Sequence, residues 1–95
     1  MKEQLYHKAS PDEVCRILDA VCVELDMAEG KFTHWPLDYI HGAAIVAEEA
    51  GEVVQAALKM EYENGSEAEL VCELVQTAAM AVRMLAFIHK GKLDA

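Results

Sequence analysis

A chain of 95 residues makes one domain with room for only a modest core, yet 54% of it is apolar and only 6% aromatic. That much aliphatic surface on so short a chain calls for a second copy to cover it. The formal charge of -9 argues against nucleic-acid binding, because gripping phosphates needs clustered Lys and Arg.

The lead from Met1 to Ala9 is polar, with Leu5 and Tyr6 as packing anchors, and no apolar core of a signal peptide follows Met1. Ser10-Pro11-Asp12-Glu13 then opens a helix: Ser10 is the N-cap, Pro11 takes the first helical position, and Glu13 closes a capping box. Val14, Leu18, Val21 and Leu25, with Cys15, Ile17 and Cys22 beside them, form its apolar stripe. Gly30 is the expected stop, so the first helix is predicted at about 11–29. Lys31 to Leu37 breaks the periodicity and holds Phe32, His34 and the only Trp, Trp35. Pro36 biases Trp35 toward extended backbone. Phe32 suits the end of the core, whereas Trp35 serves either as core or as a surface on which a nucleobase stacks.

Asp38 caps a second helix predicted at about 39–63. Ala43, Val46, Ala47, Ala50, Val53, Val54, Ala57 and Met60 form its expected core stripe, with His41, Glu48, Glu49, Glu52 and Lys59 opposite or beside it. Gly51, between two acids, costs about 1 kcal/mol relative to Ala and suggests the close approach of another backbone or a ligand. Asn64-Gly65 is the turn, and Ser66 with Glu69 makes a second capping box. The third helix is predicted at about 67–90, ended by Gly91. Leu70, Leu74, Ala78, Ala81, Val82, Leu85 and Ile88 form its expected core stripe, and Glu69, Glu73, Gln76, Met80, Arg83 and Phe87 its other side.

The expected fold is therefore all-α: one domain over residues 1–95, three antiparallel helices pairing with a second subunit into a core of the four-helix-bundle type. No apolar run reaches the roughly twenty residues of a membrane span, so no membrane partner is expected. Cys15, Cys22 and Cys72 cannot all pair within one chain, and as free, buried thiols they fit a reducing cytoplasm. Cys15 and Cys22 are too far apart for an ordinary zinc pair.

Glu48, Glu49 and Glu52 fall within about one third of a helical turn, and Glu69, Glu73 and Gln76 share one side of the next helix. Two acidic stripes facing each other repel unless a cation lies between them. Hard oxygen donors on facing helices suit magnesium, which keeps several waters and is commonly shared with substrate phosphates. A solvated acidic face is the ordinary alternative, and the capping box explains Glu69 fully. With no visible partner to activate a Ser, Cys or His nucleophile, hydrolysis by metal-activated water is the natural chemistry.

Glu48-Glu49-x-x-Glu52 followed by Glu73-x-x-Gln76 resembles the Glu-Glu-x-x-Glu and Glu-x-x-Asp signature of the MazG-like all-α nucleoside triphosphate pyrophosphohydrolases. The likeness spans about Trp35 to Leu85 and is to their short, single-domain members. It implies magnesium-dependent hydrolysis of nucleoside triphosphates to monophosphate and pyrophosphate, in homodimers or homotetramers. By this resemblance Glu49, Glu52 and Glu73 are the catalytic, metal-binding acids, with Glu48 the additional acid and Gln76 a weaker oxygen donor standing where the family has Asp. Trp35, Lys59 and Arg83 are candidate substrate contacts by placement alone. Disposal of non-canonical nucleotides is the expected role. The alternative is a catalytically weakened protein of the same fold that binds nucleotide or metal as a regulator or partner, because Gln76 cannot act as a base. A helical dimerisation module with no ligand is a third reading.

Overall fold

The computed structural model describes residues 8–93, with side chains to residue 91, and the anchors expected at Leu5 and Tyr6 lie outside them. Three helices make up the fold: α1 (Pro11–Lys31), α2 (Tyr39–Tyr62) and α3 (Glu67–Leu93), with no strand among the described residues. Each start follows from local chemistry. Ser10 Oγ accepts from the Glu13 backbone N–H at 3.2 Å while Glu13 Oε1 accepts from the Ser10 N–H at 3.3 Å, a complete capping box. At α2, Asp38 Oδ1 accepts from the N–H of Ile40 at 2.7 Å and of His41 at 3.4 Å. At α3 the Ser66 hydroxyl accepts from the Glu69 N–H at 3.0 Å, but the Glu69 carboxylate turns to Lys59 instead of closing a box.

The ends differ from expectation at both glycines named as stops. Gly30 and Gly91 keep helical backbone, and no glycine among the described residues has positive φ. Helix α1 runs on to Lys31 and ends at Phe32, whose extended backbone still donates its N–H to the Ala28 carbonyl. The left-handed residue is Asn64, with φ 58°, where α2 turns toward α3. Gly65 follows because a Cβ there would meet the Lys59 backbone at 2.9 Å.

Helix α3 is the middle element: α1 and α2 both pack on it, and their backbones do not pack on each other. Helix α2 runs antiparallel to α3, with Tyr39 at its start edge-on to Phe87 near the end of α3, ring centroids 6.3 Å apart. Helix α1 runs in the same direction as α3, since Ile17 shares a groove with Leu74 and Phe32 reaches Arg83. The faces turned inward correct the expected stripes. Val21 and Ala28 are buried on α1, Gly42 and Ala56 on α2, and Ala79, Met80 and Arg83 on α3. Ala43, Ala47, Ala50 and Val54 of the expected α2 stripe are exposed, as are Leu74, Val82 and Leu85 of α3. The side of α2 that carries Glu49 and Glu52 therefore faces the side of α3 that carries Glu73, and much of the aliphatic side of both helices faces out.

Three further expectations change. Cys15, Cys22 and Cys72 are free but exposed, not buried. Gly51 is exposed, and a Cβ added there would meet nothing within 4 Å, so the close approach expected at this position is not made within the chain. Helix α3 is long and apolar enough, by length and composition alone, to cross a membrane, contrary to the reading that no run qualifies. Here it carries Glu73, Gln76 and Arg83 on one side and lies between α1 and α2.

Candidate metal centre and adjoining cleft

The inward turn of α2 and α3 brings Glu49, Glu52 and Glu73 together. Each offers a carboxylate oxygen within 4.8 Å of the others, and all three side chains are half-buried. Glu49 and Glu52 are one helical turn apart on α2, and Glu73 meets them across the interface. One oxygen of Glu49 and one of Glu73 are shut off from solvent with no hydrogen-bond donor. Buried carboxylate oxygens ordinarily have partners, so this pair is an unusual local arrangement.

The electrostatics follow from that geometry. Burial first, then the charges of Glu52 and Glu73, raises the Glu49 carboxyl above its ordinary value, with Glu48 and Glu24 adding to the rise. Glu73 is raised as well, by burial first and then by a hydrogen bond and charge shared with Glu52, while Lys59 opposes the rise. Both groups therefore hold a proton more readily than an exposed carboxylate, which is the behaviour of a concentrated negative charge lacking a counter-ion.

The other expected site residues divide. Glu48 is exposed, outside the three-carboxylate cluster. Gln76 is half-buried one turn beyond Glu73, and its amide nitrogen donates to Cys72 Sγ at 3.5 Å. Lys59 lies on the surface near the α2–α3 turn, 3.9 Å from Glu69, and acts on the cluster through its charge. Trp35 and Arg83 come together at the opposite end, where the Arg83 guanidinium carbon sits 5.2 Å from the centroid of the Trp35 ring.

Those two residues help line a cleft of about 760 Å³, walled by Phe32, His34, Trp35 and His41 and reaching Glu49. Its volume and mostly apolar wall with a few converging polar groups are those of a small-molecule pocket. On the other side of Glu49 a second cavity of about 490 Å³ is bounded by Glu24, Cys72 and Gln76. Glu49 thus belongs to both.

Two participants escape a reading of the sequence. Glu24 is half-buried and adds to the negative field at Glu49. Its signal is its place on α1, three residues after Val21 and four before Ala28, on the side that turns inward. Gly42 is the other: it is buried, and a Cβ there would lie 2.9 Å from Trp35 Nε1, so the close approach expected at Gly51 occurs here.

No family model, curated protein or solved structure matches the chain.

Proposed function

We propose that this chain binds magnesium at Glu49, Glu52 and Glu73 and hydrolyses nucleoside triphosphates to monophosphate and pyrophosphate, as its resemblance to MazG-like pyrophosphohydrolases implies. The observation that carries the reading is the convergence of three carboxylates from two helices, with two of their oxygens buried and without donors. The donor set fits the ion: all-oxygen, anionic, and incomplete as an octahedron, so that waters and phosphate oxygens fill the remaining positions. Bound there, magnesium would polarise the phosphate and lower the pKa of a coordinated water. The protein's own share is positional. Glu49 joins the cluster to the cleft, so a base held among Trp35, Phe32 and the imidazoles of His34 and His41 would direct its phosphate tail toward the carboxylates.

The reading includes a homodimer or homotetramer. Ile17 and Leu18 on α1 and Val71 and Leu74 on α3 are each about half exposed, an aliphatic surface suited to a second copy and to a bundle completed between subunits. The free thiols suit a reducing cytoplasm. One observation favours a second reading, a nucleotide- or metal-binding regulator with little turnover. Gln76 is neutral and its amide is turned to Cys72, so no fourth carboxylate stands one turn beyond Glu73.

Pyrophosphate release from mixed deoxynucleoside and ribonucleoside triphosphates, with magnesium or EDTA, separates these readings. Magnesium-dependent release that is lost in Glu52→Gln supports the hydrolase. Folded wild type that binds nucleotide but releases nothing supports the regulator.

A further inference from the structure

The hydrolase reading uses Arg83 only as a candidate substrate contact, but its surroundings assign it other work. Arg83 is 7% exposed, the one charged side chain that is buried among the described residues. Among the described residues no carboxylate pairs with it. Its Nη2 instead donates to the backbone carbonyls of Phe32 and, at 3.4 Å, His34. Both belong to the connection between α1 and α2, about fifty positions away in sequence. The guanidinium also faces the Trp35 ring, whose edge rests in the space left by Gly42. A charge buried without a counter-ion has to be satisfied by hydrogen bonds, and here the groups that satisfy it belong to the aromatic wall of the cleft.

We propose that Arg83 is a positioning residue: from α3 it pins the carbonyls of Phe32 and His34 and sets the plane of Trp35, so that the wall of the cleft is built by α3 while the carboxylate cluster stays independent of it. The flat fork of a guanidinium is what the role requires, since it can bond two carbonyls and stack on a ring at once. A lysine ammonium, a point charge on a flexible stem, has no flat face to stack on the ring while it holds both carbonyls in fixed directions. A ligand ring entering the cleft would meet a wall already in place, with the ordering cost met in the free protein. The inference uses the cleft as the ligand site of the hydrolase reading, but its test does not depend on turnover.

Trp35 is the only tryptophan, so intrinsic fluorescence reports this one position. The experiment measures Trp35 emission and acrylamide quenching in full-length wild type, Arg83→Met and Arg83→Lys, with helix content checked by circular dichroism and the magnesium-induced rise in Tm measured in parallel. Arg83→Met keeps the packed stem and removes the fork; emission is expected to move to the red and quenching to increase. Arg83→Lys is expected to shift the same way while keeping the wild-type magnesium response. Emission and quenching identical to wild type in a folded variant would overturn the assignment, and if Arg83→Met does not fold, Arg83→Lys decides. Loss of the magnesium response in folded Arg83→Lys would also overturn it, by showing that Arg83 supports the cluster. If wild type itself shows no magnesium response, the metal reading fails while the Trp35 signal still decides the role of Arg83.

Discussion

Replacing Glu49 by Gln keeps the shape of the side chain and removes one charge from a group of three. At the 4.8 Å limit separating the cluster's ligand atoms, two unit charges repel by about 3.5 kcal/mol at an effective dielectric of about 20, and by about 0.9 kcal/mol in bulk water. Glu49 has two such neighbours, but all three side chains are only half-buried, so solvent screening holds the net gain to about 1–2 kcal/mol. In EDTA, Glu49→Gln should therefore melt above wild type, by about 4–8 °C for each kcal/mol in a domain of this size. Magnesium should reverse the order: a site filled at a hundred times its Kd stabilises wild type by about 2.7 kcal/mol, and the variant loses most of that. The assay is thermal melting followed by circular dichroism, in EDTA and in magnesium at matched ionic strength, because salt alone screens part of the repulsion. A variant that melts below wild type in EDTA would refute the repulsion argument. A wild-type Tm indifferent to magnesium would refute the cation site.

The raised carboxyls of Glu49 and Glu73 set a pH dependence for the metal-free protein. Their folded-state pKa values lie above the ordinary 4.5, so their contribution to stability is fully present below that pH and is lost as pH rises through the folded values. Urea midpoints in EDTA should fall across that window, while magnesium affinity climbs with pH as the ion competes with fewer protons; a flat midpoint would contradict the burial and crowding described. Two glycines should respond with opposite sign: Gly51→Ala, with open space around it, should stabilise by about 1 kcal/mol, whereas Gly42→Ala should lose about 1–3 kcal/mol and move Trp35 emission. A destabilised Gly51→Ala would mean that another copy supplies the close neighbour absent within the chain. If the proposed oligomer forms, Leu74→Glu, which places a charge in the groove shared with Ile17, should convert it to monomer in sedimentation without loss of helix content. A wild-type monomer would remove the need for a covering copy.

How much of this is legible in the sequence depends on the range of the interaction involved. The starts of all three helices can be read because a cap is a contact over two or three residues: Ser10 with Glu13, Asp38 with Ile40, Ser66 with Glu69. The alignment of Glu49 with Glu52 is legible too, since helical spacing sets it, and the short Asn64-Gly65 turn folds the next helix back along them, but not that the Glu73 side of that helix faces them. Helix stops are less so, because a glycine permits left-handed backbone without requiring it, and Gly30 and Gly91 stay helical. Which side of each helix turns inward is decided by tertiary packing. Helices α2 and α3 are apolar over most of their circumference, so periodicity shows two faces without ranking them, and α3, lying between two neighbours, has to meet both. Arg83 belongs to the same class: an arginine in the apolar run from Ala79 to Phe87 is visible in the sequence, but the carbonyls of Phe32 and His34 that occupy it come from a connection about fifty residues away. Only the fold brings donor and acceptors together, because at that separation nothing in local geometry constrains one against the other.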